Sequence, residues 1–326
     1  GRSITVNGYA YPFINENILE ETLPYLTYLS IFSYGFTAEG ALIPPLIDPQ
    51  FMIDASNENN TSPILTLTPL DESGRFNNNL ISSVVRNDDI QLILIDAILA
   101  ELNSKGYTGV DVDFEYILSE DRDYFTTFVA RMTNILNESG YTVSVALAPK
   151  TSADQQGLLY EGKDYAGLGA AANSVFLMTY EWGYTYSVPM AVAPINKVRQ
   201  VIEYAITEIP SAKIDMGIPN YGYDWPLPYE KGVTRARTIG NIEAVNIAVR
   251  YGAVIQYDEI AQTPYFNYTD EQQTEHEVWF EDVRSMQAKF RLISEYNLRG
   301  AGYWQIMRLF RANWLLLSDT YRIIKQ

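Results

Sequence analysis

Asp111, Asp113 and Glu115 stand two residues apart in the stretch G-V-D-V-D-F-E-Y, residues 109 to 116. In an extended strand, residues i, i+2 and i+4 point to one face, so this spacing gathers three carboxyl groups in one small space. Like charges that close do not all ionise together: their titrations couple, and at least one proton is kept to a higher pH than a free Asp or Glu would keep it. Val110, Val112 and Phe114 alternate with the acids and face the other way, as a packed layer requires. A half-buried strand turning its polar side to water would explain one or two acids. Three in register, with no Lys or Arg among them, fit a reactive site better. A carboxyl group that retains its proton near neutral pH is what protonates a departing glycosidic oxygen, and Glu115, last on the strand, is the candidate. Asp113 is placed to hydrogen-bond to Glu115 or to substrate and to raise the acid's pKa, while Asp111, lying deeper, can share the proton. Two acids on one strand face cannot readily straddle a sugar, as the usual retaining pair about 5 Å apart must. The other route lets the substrate's own 2-acetamido oxygen attack the anomeric carbon; it needs one acid, a neighbouring carboxylate, a tyrosine hydroxyl and an N-acetylated sugar.

Positioning these groups requires a scaffold, and the sequence alternates short β-branched or apolar runs with longer helical patterns from end to end. Strands are expected at 4–9, 27–34, 63–68, 109–115, 142–148, 175–180, 213–218 and 301–305. The clearest helix is 121–139, where Phe125, Phe128, Val129, Met132, Ile135 and Leu136 recur at helical spacing before Gly140; 89–102 and 195–209 repeat the pattern. Eight strands with intervening helices predict an α/β fold, a parallel (β/α)8 barrel; a doubly wound open sheet is the alternative, but no glycine-rich phosphate loop follows the first strand. A barrel puts its functional groups at the C-terminal ends of its strands. Glu115 closes strand four, Tyr180 and Glu181 close strand six, Tyr221 follows strand seven, and Trp304 sits at strand eight. Asp224 and Trp225 are candidates either for substrate contact or for packing the base of an insertion. That insertion is expected at 227–280, between strands seven and eight, with strand-like pieces at 253–257 and 277–280, inside a single catalytic barrel spanning 1–326. Tyr9 and Phe32 read as core aromatics.

Composition narrows the partners. The 326 residues carry a formal net charge of −17, which repels a phosphate backbone and removes the cationic contacts on which nucleic-acid binding depends. Cysteine is absent, so neither disulfides nor thiolate metal sites can form. His276 is the only histidine, flanked by Glu275 and Glu277, and a metal site is not expected there. No metal or organic cofactor is called for, no run is long and apolar enough to span a membrane, and nothing demands more than a monomer. Twenty-five Tyr and five Trp supply amphipathic rings suited to stacking on sugars, although they serve equally as core. Arg235 and Arg237 are isolated cations expected to pair with nearby acids, contact with a substrate group being the alternative.

The stretch G-V-D-V-D-F-E resembles the D-x-x-D-x-D-x-E signature of glycoside hydrolase family 18, the chitinase-like family. M-T-Y-E (178–181) is similar to the family's strand-six M-x-Y-D, G-I-P-N-Y-G-Y-D-W (217–225) to its strand-seven segment, and A-G-Y-W-Q (301–305) to its strand-eight tryptophan segment. Residues 257–268 and 279–285 resemble the small inserted module of many members. N-G-Y-A-Y-P, Y-G-Y-D-W and H-E-V-W-F-E-D look most like the branch that cleaves spore-cortex peptidoglycan, which implies a spore-associated or otherwise extracytoplasmic location. Members of that branch often carry LysM modules, and none is visible in this sequence. The resemblance implies Glu115 as general acid/base, Asp113 as the group orienting the acetamide and Asp111 as its support. It also implies Tyr180 as the ligand of the acetamido oxygen and Trp304 as the floor under the reacting sugar; Glu181 and Tyr221, from their places at and after the strand ends, are candidates for substrate contact. Two positions depart from the pattern: Thr108 replaces the signature's first Asp, and Glu181 replaces the usual Asp after Tyr180. A retaining, substrate-assisted N-acetylglucosaminidase is the expected activity; a chitinase, or a glycan-binding protein without catalysis, is the alternative.

Overall fold

Eight parallel strands close into a barrel in the computed structural model, which describes residues 1–326. They are β1 (Ser3–Ala10), β2 (Tyr28–Phe36), β3 (Ser62–Leu67), β4 (Gly109–Val112), β5 (Thr142–Leu147), β6 (Ser174–Leu177), β7 (Ile214–Pro219) and β8 (Gly300–Trp304). Each pairs in parallel with the next, and β1 pairs with both β2 and β8, so the ring has no open edge. At least one helix follows every strand in sequence and covers the outside of the barrel.

The alternation seen around the three acids is the rule throughout. Outward residues of the strands, such as Val110, Val112 and Phe114, join the helices in a continuous core of 63 buried side chains. Phe114 stacks on Phe125 and Phe128 of the helix Arg122–Glu138, with ring centroids 5.7 and 6.1 Å apart. Burial of each such ring stabilises the fold by about 1.5–3 kcal/mol, so this layer fixes the strand that carries the acids. Facing inward, Asp111 lies in register with Thr66 of β3 and Ser144 of β5, and the barrel centre is polar. At the bottom, Asp215 accepts hydrogen bonds from Thr5 Oγ1 at 2.8 Å and from Arg299. Two inward glycines make room for aromatic rings. A Cβ on Gly302 would stand 2.5 Å from Phe176, and one on Gly217 would stand 2.9 Å from the ring of Tyr180.

Two strands end earlier than their sequence pattern suggests. Strand β4 stops at Val112, not at residue 115, and β6 at Leu177, not at 180. The N–H of Asp113 still donates to the Leu67 carbonyl at 2.9 Å, after which the chain leaves the ladder. Asp113, Glu115, Tyr180 and Glu181 therefore stand just past the strand ends, on the loops that form the barrel mouth.

Between β7 and β8 the chain builds a second, antiparallel sheet. Its spatial order is Arg237–Ile239, Gly222–Pro226, Glu275–Trp279, Thr263–Thr269, Gln256–Asp258, with the helix Asn241–Tyr251 beside it. This sheet begins at Gly222, five residues before the expected start of the insertion, and residues 253–255 lie outside its strands.

Candidate active site

A cavity of about 430 Å³ opens at the C-terminal end of the barrel, with Asp113, Glu115, Tyr180, Glu181, Tyr221 and Trp304 on its walls. Asp111 lies directly below. It is 1% exposed, and its two carboxylate oxygens accept hydrogen bonds from Tyr9 Oη at 2.6 Å and Ser144 Oγ at 2.8 Å. Burial pushes its pKa up to about 6, against the pull of those two donors. Asp113 comes next toward the mouth. Its Oδ1 is buried with no hydrogen-bond partner, and it holds its proton well above the usual carboxylate range. The chief cause is burial, followed by the charges of Glu115 and Asp111. Glu115 is exposed at the mouth. The three acids thus run from pinned and buried to exposed at the mouth, and burial drives the middle member toward its protonated form.

Lysine 163 anchors this ladder from behind. Fully buried on the loop after β5, Lys163 donates from Nζ to the backbone carbonyl of Glu115 at 3.1 Å. Burial lowers its own pKa to about 8, against the opposing pull of Asp113 and Glu115. Nothing in its local sequence, E-G-K-D, marks it; only the fold brings it under the acids. Thr108, at the position where the family pattern has a further acid, turns its hydroxyl to the Pro63 carbonyl at 3.2 Å.

Aromatic groups enclose the site. Trp304 closes β8 and packs against Tyr9, Tyr11 and Phe32 at centroid distances of 5.6, 6.0 and 5.1 Å. Tyr9, expected as a core residue, is buried but also binds Asp111, and Phe32 lines the cavity. The hydroxyl of Tyr180 is driven well above the usual tyrosine range by burial and by the surrounding carboxylates, so it is a donor at every physiological pH. Glu181 adopts φ 68°, the left-handed region that non-glycine residues seldom enter. Its carboxylate accepts hydrogen bonds from Tyr221 Oη at 2.7 Å and Tyr223 Oη at 2.9 Å. Partial removal from water raises its pKa, while the two tyrosines lower it.

Asp224 and Trp225 do not line the cavity. In the strand Gly222–Pro226 they fall within the second sheet: Trp225 is fully buried and donates from Nε1 to the Ser187 carbonyl at 2.8 Å. Asp224 accepts from Tyr268 and meets His276 Nδ1 at 2.7 Å. His276 also contacts Asp270 through Nε2 at 2.8 Å and stacks on Tyr268. Arg237 pairs with Glu243 at 2.8 Å, and Arg235 lies over the ring of Tyr186. Tyr223, missed in the sequence, lines the cavity, whereas Asp224 and Trp225 take the packing role that was the alternative to substrate contact. Two-residue alternation from Tyr221 was the signal for Tyr223.

A closed parallel barrel with a carboxylate ladder at its C-terminal mouth, flanked by tyrosine and tryptophan, is the arrangement of a glycoside hydrolase, and the chain belongs to Glycosyl hydrolases family 18, whose profile matches residues 73–308. Its similarity to particular members extends further. It is 43% identical over 332 residues to the cortical fragment-lytic enzyme of Bacillus subtilis, covering 100% of this chain and 76% of that protein. The crystal structure of the Bacillus megaterium spore cortex-lytic enzyme SleL superposes with a TM-score of 0.95 at 39% identity, over 100% of this chain and 76% of that one. A chitinase of Chromobacterium violaceum is more distant in sequence, with a TM-score of 0.89 and 25% identity over 97% and 98% of the two chains. No helix is long and apolar enough to cross a membrane.

Proposed function

We propose that this glycoside hydrolase cleaves N-acetylglucosaminyl bonds of spore-cortex peptidoglycan with retention of configuration, using the substrate's acetamide as nucleophile. The observation that carries the mechanism is the buried, unpartnered Oδ1 of Asp113 between pinned Asp111 and exposed Glu115. A buried polar atom without a partner is costly unless a ligand supplies one, and an acetamide N–H fits that demand. In this reading the reacting sugar lies on Trp304 and its acetamido oxygen accepts from Tyr180. The proton kept on Asp113 is relayed to Glu115, which delivers it to the leaving oxygen as the C1–O bond breaks and the acetamido oxygen closes on C1. The nitrogen gains positive charge in that step, and the carboxylate left on Asp113 faces it. Glu115, now ionised, takes a proton from the water that opens the ring at C1, which restores the acetamide and the starting configuration. Chain-long identity to cortex-lytic enzymes supports the substrate and a spore-associated place of action.

Mass spectrometry of products from purified cortex fragments and from chitin oligomers, with Glu115→Gln as control, tests the proposal. New reducing ends on N-acetylglucosamine, lost by several orders of magnitude in the variant, are expected. Near-normal hydrolysis by the variant overturns the role of Glu115, and cleavage of chitin alone overturns the substrate.

A further inference from the structure

Strand β4 ends at Val112, yet the acid that must meet the leaving oxygen stands beyond it, on a loop. From Phe114 to Ile117 the main chain makes no hydrogen bond to any other backbone group. The single hydrogen bond this stretch receives comes from a side chain: Lys163, fully buried, donates from Nζ to the Glu115 carbonyl at 3.1 Å. The lysine's own segment closes on the same loop, where a Cβ on Gly162 would stand 2.5 Å from the Ile117 carbonyl oxygen. Lys163 is held in turn by Lys150, 1% exposed, whose Nζ donates to the Lys163 carbonyl at 2.9 Å. The Lys150 N–H donates to Tyr165 Oη at 2.9 Å. Both ends of Lys163 are therefore fixed, its backbone by Lys150 and its ammonium against Glu115.

Holding a carbonyl does not require a charge. A buried ammonium has lost its hydration, and this destabilises the fold unless opposite charge answers it. Lys163 forms no ion pair; the charged groups that act on it are Asp113 and Glu115, which favour the ammonium, and Lys150, which opposes it. Those two acids become more negative by losing the proton that the reaction consumes. When Glu115 passes that proton to the leaving oxygen, the ladder gains one negative charge, and its attraction to Lys163 is greater than before the bond broke. An interaction stronger in the transition state than in the ground state lowers the barrier. We infer that Lys163 is a positioning residue for the reaction, which fixes the main chain at Glu115 and supplies the counter-charge to the acids as their proton leaves. The inference rests on the acid role of Glu115 proposed above.

The test compares wild type, Lys163→Met and Lys163→Arg on whichever of cortex fragments and chitin oligomers the wild type cleaves, following kcat, KM, the pH profile of kcat/KM and Tm. A neighbouring cation lowers a carboxyl pKa, so its removal raises it. Lys163→Met should therefore move the acid limb of the profile up by about 1 pH unit. It should lower kcat about 10-fold, the same displacement expressed as a rate, with KM little changed. Its Tm should not fall, because a buried cation gives way to an apolar chain of similar length. Lys163→Arg keeps the charge and should leave the acid limb in place. An acid limb unmoved or a kcat near wild type in Lys163→Met, a Tm that falls together with its activity, or an acid limb displaced equally in Lys163→Arg overturns the counter-charge role. Near-normal hydrolysis of the same substrate by Glu115→Gln is a separate failure: it removes the acid on which that role rests, whatever the Lys163 variants do.

Discussion

Replacing Asp111 with Asn should stabilise the protein at neutral pH, an unusual result for a residue at the centre of a barrel. Asp111 is 1% exposed, and burial raises its pKa from 3.8 to about 6. A carboxylate whose folded pKa lies above its unfolded value binds its proton more tightly in the folded state. Its contribution to stability is therefore highest below the unfolded value and declines as pH rises through the window from about 4 to 6. Above that window the ionised group costs about 3 kcal/mol, at about 1.4 kcal/mol per pH unit of displacement. Asparagine keeps the shape and avoids that cost, and the hydroxyls of Tyr9 and Ser144 can each donate or accept, so the amide is satisfied in either orientation. With an unfolding entropy of about 2.1 cal/mol/K per residue over this chain, the gain corresponds to a rise in Tm of about 4 °C at pH 7, vanishing near pH 3.5. Thermal and urea unfolding of both proteins from pH 3.5 to 8 measures it. A difference that is absent at pH 7, or equally large at pH 3.5, refutes the account of Asp111 as a carboxylate ionised against its surroundings.

Other groups give sharper kinetic signatures. Removing the hydroxyl in Tyr180→Phe should lower kcat about 10²-fold, because the acetamido oxygen is no longer held in line with C1; an unchanged kcat would contradict that role. Lys163 is charged below about pH 8 and loses its charge above it, so kcat/KM should fall on the alkaline side near that pH, and Lys163→Met should show a lower plateau without this limb. His276→Ala leaves Asp224, 3% exposed, without one of its partners, and should cost about 1–3 kcal/mol in urea unfolding while kcat stays near wild type, because the pair lies outside the cavity.

The carboxylate ladder was legible because strand geometry acts on sequence neighbours: alternation alone places Asp111, Asp113 and Glu115 on one side and Val110, Val112 and Phe114 on the other. The position of Trp304 at the end of β8 was legible for the same reason, while Tyr180 was read as closing a strand that ends at Leu177. What the chain conceals is the contact between residues distant in sequence. Tyr9 lies 102 positions from Asp111, and its local pattern is that of any buried strand residue. Lys163 sits in an unremarkable loop and gains meaning only from what the barrel brings against it. For Asp224 and Trp225 the sequence left substrate contact and packing of the insertion both open, and only the pairing of Gly222–Pro226 within the second sheet decides for packing.

That strand has a consequence for recombination between relatives. Gly222–Pro226 is hydrogen-bonded on both sides within the second sheet, yet Tyr223 reaches Glu181 in the cavity while its neighbour Asp224 holds His276 in the module's interior. It is a party wall, shared by two rooms. Excising the module as an ornament would tear out one side of the substrate chamber, and a graft that begins at residue 227 would leave a host tyrosine facing a foreign lining. A chimera should exchange residues 221–279 as one block, together with the residue at 181 that Tyr221 and Tyr223 grip.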